Sequence, residues 1–271
     1  MARSCSAAIA CRLIRRAIVS DDRGKRVLSN AHEGSEFLRT KDANFRPINM
    51  YTAPDGTMYI VDMYRGIIQE GNWVRKGSYL RGVVQEYGLD RNIGRGRIYR
   101  LVHDDFKPGP QPRMLDESTA ELVAHLAHAN GWWRDTAQKL IVLRADHSVV
   151  PALRKMMMTH ESALARNHAM WTLDGLHQLT SRDVLACFRD HAAEVRASAV
   201  RVAEPMLEDG SDDGPGDGRD KELVVAFRAM AGDPDPGVLL QVLRTALYTE
   251  IDGYGPLVEG MVKMHDGNEA I

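Results

Sequence analysis

The sequence predicts an α+β multidomain protein: a strand-and-turn segment, then an array of helical repeats. Three observations predict it. The hydrophobic period is two before residue 106 and becomes helical after residue 113. Between them, Phe106–Arg113 carries Pro108, Gly109, Pro110 and Pro112, which disfavour the interior of helix and strand alike and read as a linker. Beyond the linker, an Arg followed three residues later by Ala recurs at Arg134/Ala137, Arg166/Ala169 and Arg196/Ala199, at spacings of 32 and 30 residues.

Each element follows from local chemistry. Ile48–Thr52 is a short extended run, and Met58–Tyr64 is rich in β-branched and aromatic residues. Pro54-Asp55-Gly56 between them supplies turn chemistry, so the two predict a β-hairpin. Gly94–Val102 alternates Arg97, Tyr99 and Leu101 against Ile98, Arg100 and Val102, a third strand, and Leu13–Val19 reads as another. After the linker, Ser118–Asn130 sets Leu122, Val123, Leu126 and Ala129 on one stripe behind caps at Asp116 and Ser118. The period near 31 predicts helix pairs stacked as an α-solenoid, with Ala137, Ala169 and Ala199 permitting close packing; an irregular helical bundle is the alternative. The next copy centres on Leu239, in register once a polar insert from Asp209 to Asp220 is removed.

Composition excludes several classes. Hydrophobic residues are 44% and charged residues 27% of 271, as in globular domains rather than disordered chains. No apolar run approaches the ~20 residues of a membrane span. The net charge of −2 gives no basic excess for nucleic acid, yet it is uneven: residues 1–105 sum to +6 and the remainder to −8. Such a split helps segments dock or steers a charged partner. Cys5, Cys11 and Cys187 cannot build a disulfide framework, and no C-x-x-C or C-x-x-C-H occurs, so no haem attachment motif is present. P-loop, G-x-G-x-x-G and G-x-S-x-G patterns are absent, and His160-Glu161 lacks the second His of a zincin helix. Ala8-Ile9-Ala10-Cys11 is a faint lipobox behind too short an apolar stretch for a convincing signal peptide.

The run Phe45-Arg46-Pro47, Pro54-Asp55-Gly56 and Tyr59–Gly66, with Gly94–Val102, Asn130–Leu140 and Asn167–Leu176, resembles the membrane-bound dehydrogenase domain family of Planctomycetes and related bacteria. The resemblance spans roughly residues 12–265. It implies a β-propeller similar to soluble quinone-dependent sugar dehydrogenases, followed by HEAT-like repeats and often a c-type cytochrome. On this basis residues 12–105 are expected to be an incomplete propeller segment, 106–113 a linker and 114–271 HEAT-like repeats, the whole a truncated family member. The resemblance further implies pyrroloquinoline quinone and calcium as cofactors, a sugar or alcohol substrate, a cytochrome partner and a periplasmic setting. The alternative is a non-catalytic scaffold binding a protein or ligand on the solenoid face.

The candidate residues have two readings each. Asp62, Tyr64 and Arg65 end the hairpin strand; Arg65 can hold a carboxylate or quinone oxygen with Asp62 orienting it, or both can tie the strand end to backbone. Arg46 is a similar candidate. Trp132, Trp133 and Arg134 can form an aromatic and cationic interaction surface, or pack on the neighbouring repeat. His125 and His128 are spaced for one helix face but lack a third ligand nearby, and His168 with Trp171 reads as packing between repeats. Asp209, Ser211, Asp213, Asp217 and Asp220 fall at positions 1, 3, 5, 9 and 12 of a calcium loop, with Gly214 at 6; an acidic insertion between repeats is the other reading. No catalytic base can be named.

Overall fold

The computed structural model describes residues 2–8, 12–22, 25–68, 74–109, 111–208, 220–249 and 254–264. The chain divides into two compact units, and the boundary falls between Gln111 and Pro112, inside the proline-rich stretch.

The first unit is built on two small antiparallel sheets. β1 (Ala2–Ala8), β2 (Leu13–Asp22) and β3 (Lys25–Asn30) lie in that order, and β4 (Leu38–Arg39) pairs with β2. β5 (Pro47–Thr52), β6 (Met58–Asp62) and β7 (Arg97–Leu101) form the second sheet with β6 central. One short helix, α1 (Tyr79–Glu86), lies between β6 and β7 and is capped by the Ser78 hydroxyl.

The predicted hairpin is present, and its turn shows why. Gly56 adopts φ 84°, open to glycine without strain. Asp55 Oδ1 accepts from the Thr57 amide (3.0 Å) and hydroxyl (2.7 Å). Arg100 of β7 reaches back to pair with Asp55 and donates to Thr57 Oγ1 at 3.1 Å, so the third strand braces the turn of the first two. Alternation sends Ile60 into a small cluster with Ile14 and Phe45, while every residue of β7 is exposed.

The second unit is helical: α2 (Thr119–His125), α3 (Gly131–Arg144), α4 (Val150–Thr159), α5 (Ala163–Gly175), α6 (Ser181–Cys187), α7 (Ala193–Val202), α8 (Glu204–Leu207), α9 (Lys221–Ala229), α10 (Pro236–Thr249) and α11 (Tyr254–Met264). Capping boxes open α2 (Ser118 with Glu121) and α6 (Thr180 with Asp183). Helices α3, α5, α7 and α10 touch in succession as one row, and α4, α6 and α9 as a second. The rows are joined within the pairs α2/α3, α4/α5 and α6/α7. Between them lies one continuous core that includes Leu122, Ile141, Leu173 and Phe227.

The repeat seen in sequence has a structural basis. Arg134, Arg166 and Arg196 are each the fourth residue of their helix, and Leu239 is the fourth of α10. The seventh residues, Ala137, Ala169, Ala199 and Val242, are fully buried between the rows. Each Arg donates through Nη1 to the carbonyl six residues back: His128 (2.6 Å), His160 (2.7 Å) and Asp190 (2.9 Å). Arg166 then grips Asp190 through Nε and Nη2 (2.7 and 2.8 Å), and Arg196 grips Asp233 at the same distances. Asp190 and Asp233 stand six residues before the next fourth position. From Arg166 onward, the ladder therefore stitches a repeat to its successor through bidentate charge-assisted bonds.

Candidate functional site

The end of β6 gathers the polar residues singled out in the first unit. Asp62 is 1% exposed, and its Oδ1 accepts from the amides of Arg46 (2.7 Å) and Tyr64 (2.8 Å). This carboxylate turns the chain out of the strand, and Tyr64 follows at φ 47°, which is why the strand stops at Asp62 rather than running to Tyr64. Asp62 thus binds backbone; among the described residues it makes no bond to Arg65, so the orienting pair expected from sequence does not form. Arg65 is half-buried beside it.

Arg46 is also committed. Its guanidinium donates to the Phe45 carbonyl (2.9 Å) and the Gly66 carbonyl (3.1 Å). A Cβ on Gly66 would lie 2.7 Å from Leu89 backbone, so only glycine lets the chain pass there. Tyr64 is sandwiched differently. Arg97 stacks 3.4 Å above its ring, and Asp42 bonds its hydroxyl, which raises the phenol pKa. Asp42 is itself held below the usual carboxylate range by the Asn44 amide first, then Tyr64, against the opposing effect of burial. Asp42 and Arg97 were missed from sequence. A signal existed for Arg97, because strand register sets it opposite Asp62. Asp62 Oδ2 remains buried without a hydrogen-bond partner among the described residues.

Trp132, Trp133 and Arg134 are built into the first helix pair instead of forming an open platform. Both Trp side chains pack on the helical core. Trp133 meets His125 and His128 at ring centroids of 5.0 and 5.1 Å, with Trp132 edge-on at 5.7 Å. His125 in turn bonds Glu117 at 2.7 Å. Arg134 Nη1 is used on the His128 and Ala129 carbonyls.

Of the calcium-loop residues, Asp209, Ser211, Asp213 and Asp217 lie outside the described residues. Asp220 Oδ1 caps α9, accepting from the amides of Glu222 (3.0 Å) and Leu223 (3.2 Å). Its carboxylate is therefore engaged by a helix N-terminus.

A groove sequence reasoning did not anticipate lies between α3 and α5. It encloses about 420 Å³ and is lined by Asp135, Gln138, Lys139, Val142, Leu143, Trp171 and Gly175. The helices approach closely here, since a Cβ on Gly175 would come within 2.8 Å of Val142. His168 Nδ1 lies 2.7 Å from Gln138 Oε1 under the groove. Burial, then the nearby Arg134 charge, lowers its pKa despite Asp135, so the ring is neutral at pH 7. His168 therefore serves as a bridge between repeats.

Residues 5–105 match the model of a family described as a domain of unknown function, DUF7133. No curated protein and no solved structure matches the chain.

Proposed function

We propose that the chain is an interaction scaffold, a HEAT-like α-solenoid over residues 114–271 joined to a propeller-type segment over 12–105. One observation supports this best. The ninth residues of α3, α5, α7 and α10 are Lys139, Trp171, Arg201 and Arg244. They stand two positions, about 200° on a 3.6-residue helix, from the buried seventh residues. The row thus repeats one position turned away from those buried residues, exposed at Lys139, Arg201 and Arg244 and half-buried at Trp171 beside the α3–α5 groove, as a surface that reads an extended partner requires. The test is selection of binding peptides from a displayed random library against the full chain. Binders that are lost with Trp171→Ala and retained with Arg46→Ala support the scaffold; binders indifferent to Trp171→Ala place recognition elsewhere and overturn it.

A second reading follows the family resemblance: a quinone-dependent sugar or alcohol oxidoreductase of the periplasm that passes electrons to a cytochrome. The polar cluster at the end of β6 favours it, because the buried Asp62 Oδ2 has no hydrogen-bond partner among the described residues and Arg46, Tyr64 and Arg97 adjoin Asp62. Weighing against it, Arg46 and Asp62 Oδ1 are spent on backbone groups. Calorimetric titration with pyroloquinoline-type cofactor, namely pyrroloquinoline quinone with and without calcium, followed by dye reduction on a sugar panel, decides it. Saturable binding with turnover supports the enzyme, and no binding to the folded chain removes it. No helix among the described residues is long and apolar enough to cross a membrane.

A further inference from the structure

We propose that the solvent face of the α3–α5–α7–α10 row takes an extended acidic segment of a partner protein, with one apolar side chain seated on Trp171. The inference rests on the scaffold reading and names the chemistry of its partner. Residues 106–271 carry a net charge of −8, so cations are in the minority on this unit. Three of them, Lys139, Arg201 and Arg244, nevertheless occupy one repeated position of one row, all exposed. The fourth member of the set is Trp171, which floors the groove.

One of these positions is prepared for a ligand. Arg201 is oriented by Glu204 and by the Tyr248 ring 5.8 Å away, yet its side chain stays 52% exposed. Glu204 is itself fixed, 5% exposed and bonded by the Thr245 hydroxyl at 2.8 Å. Apolar contact area flanks the cations: Leu143 is 69% and Tyr248 63% exposed. Asp135, 76% exposed on the groove rim, disfavours a carboxylate at the N-terminal end of α3 and so directs it towards Lys139.

The spacing specifies a pattern. Packed helices lie about 8–10 Å apart, and an extended chain advances about 3.3 Å per residue. Neighbouring ninth positions are then bridged by about three residues of ligand. The fitting segment is acidic, x, x, apolar, x, x, acidic, x, x, acidic, contacting Lys139, Trp171, Arg201 and Arg244 in turn.

Fluorescence anisotropy of the full chain with labelled peptides tests this, using that pattern with Glu and Leu, its Gln isostere and its Lys counterpart. The Glu peptide is expected to bind at least tenfold tighter than the Gln peptide. Raising salt from about 50 to about 300 mM should weaken it about tenfold, as exposed ion pairs are screened. The double variant Lys139→Glu, Arg244→Glu should lose it equally while keeping its helical circular dichroism. Equal binding of the Gln peptide overturns the acidic preference and leaves the scaffold reading standing. If neither these peptides nor any from the library bind, both fall.

Discussion

Asp62 shows how one side chain can end a strand. Its Oδ1 serves two buried amides, so Asp62→Ala strands both and should cost about 1–3 kcal/mol. Asp62→Asn keeps the accepting oxygen, so it should cost less than Asp62→Ala. Hydrogen exchange at the Arg46 and Tyr64 amides reads the difference: fast in the alanine variant, protected in the asparagine one. Cys187 makes a second residue-scale case. Burial, reinforced by Asp190 and Asp183, pushes its thiol pKa up to about 12. With the thiolate so disfavoured, Cys187 should stay unalkylated by iodoacetamide in the native chain and react once the chain is unfolded. Peptide mass spectrometry at that residue checks it.

At the scale of elements, the ladder governs how helix pairs are joined. Burial opposes ionisation of Asp190 and Asp233, but the Arg166 and Arg196 guanidinium groups outweigh it and hold both pKa values below normal. A depressed folded-state pKa gives stability that is present above the unfolded value near ~3.9 and lost as pH falls through the folded one. Thermal unfolding of the helical unit should therefore be nearly flat from pH ~7 to ~5 and drop below ~4. An Asp190→Asn, Asp233→Asn double variant should start lower and drop less. The first rung is different. His160 stands where Asp190 and Asp233 stand in the later repeats, and its Nδ1 likewise accepts from the amide two residues on, at Ser162 (3.0 Å). Arg134 Nε is correspondingly buried without a partner among the described residues. His160→Asp should complete the rung, adding about 1 kcal/mol and about 2–4 °C to the unfolding midpoint; an unchanged midpoint would show that Arg134 is placed differently from Arg166 and Arg196.

At the scale of the whole molecule, the two units differ in what holds them. The helical unit has a continuous core running from Met114 to Met261. The β-unit has a cluster centred on Ile14, Phe45 and Ile60, and leaves Ile98, Tyr51 and Leu101 exposed on a three-stranded sheet. Small sheets with one thin face are marginal alone, and an uncovered edge invites association. Amide exchange on a verified monomer should show β5–β7 opening well before α3–α7; comparable protection in both would contradict it.

The hairpin and the register of the repeats were legible because each rests on local chemistry: turn residues at Pro54–Gly56 and an Arg–Ala spacing that recurs along the chain. α1 was not, although Leu80, Val83, Val84 and Tyr87 stand at helical spacing: the run is only eight residues long, contains Gly82 and buries only Val84. The sites were less legible still. That Asp62 turns to the Arg46 backbone, that Arg97 lies over Tyr64, and that Asp190 answers Arg166 are pairings between residues 16 to 33 positions apart. By itself the sequence determined periods, turns and caps, which depend on residues within one helical turn or one strand pair. Only the tertiary structure decided which side chains meet and which stay open, because that depends on how the elements pack.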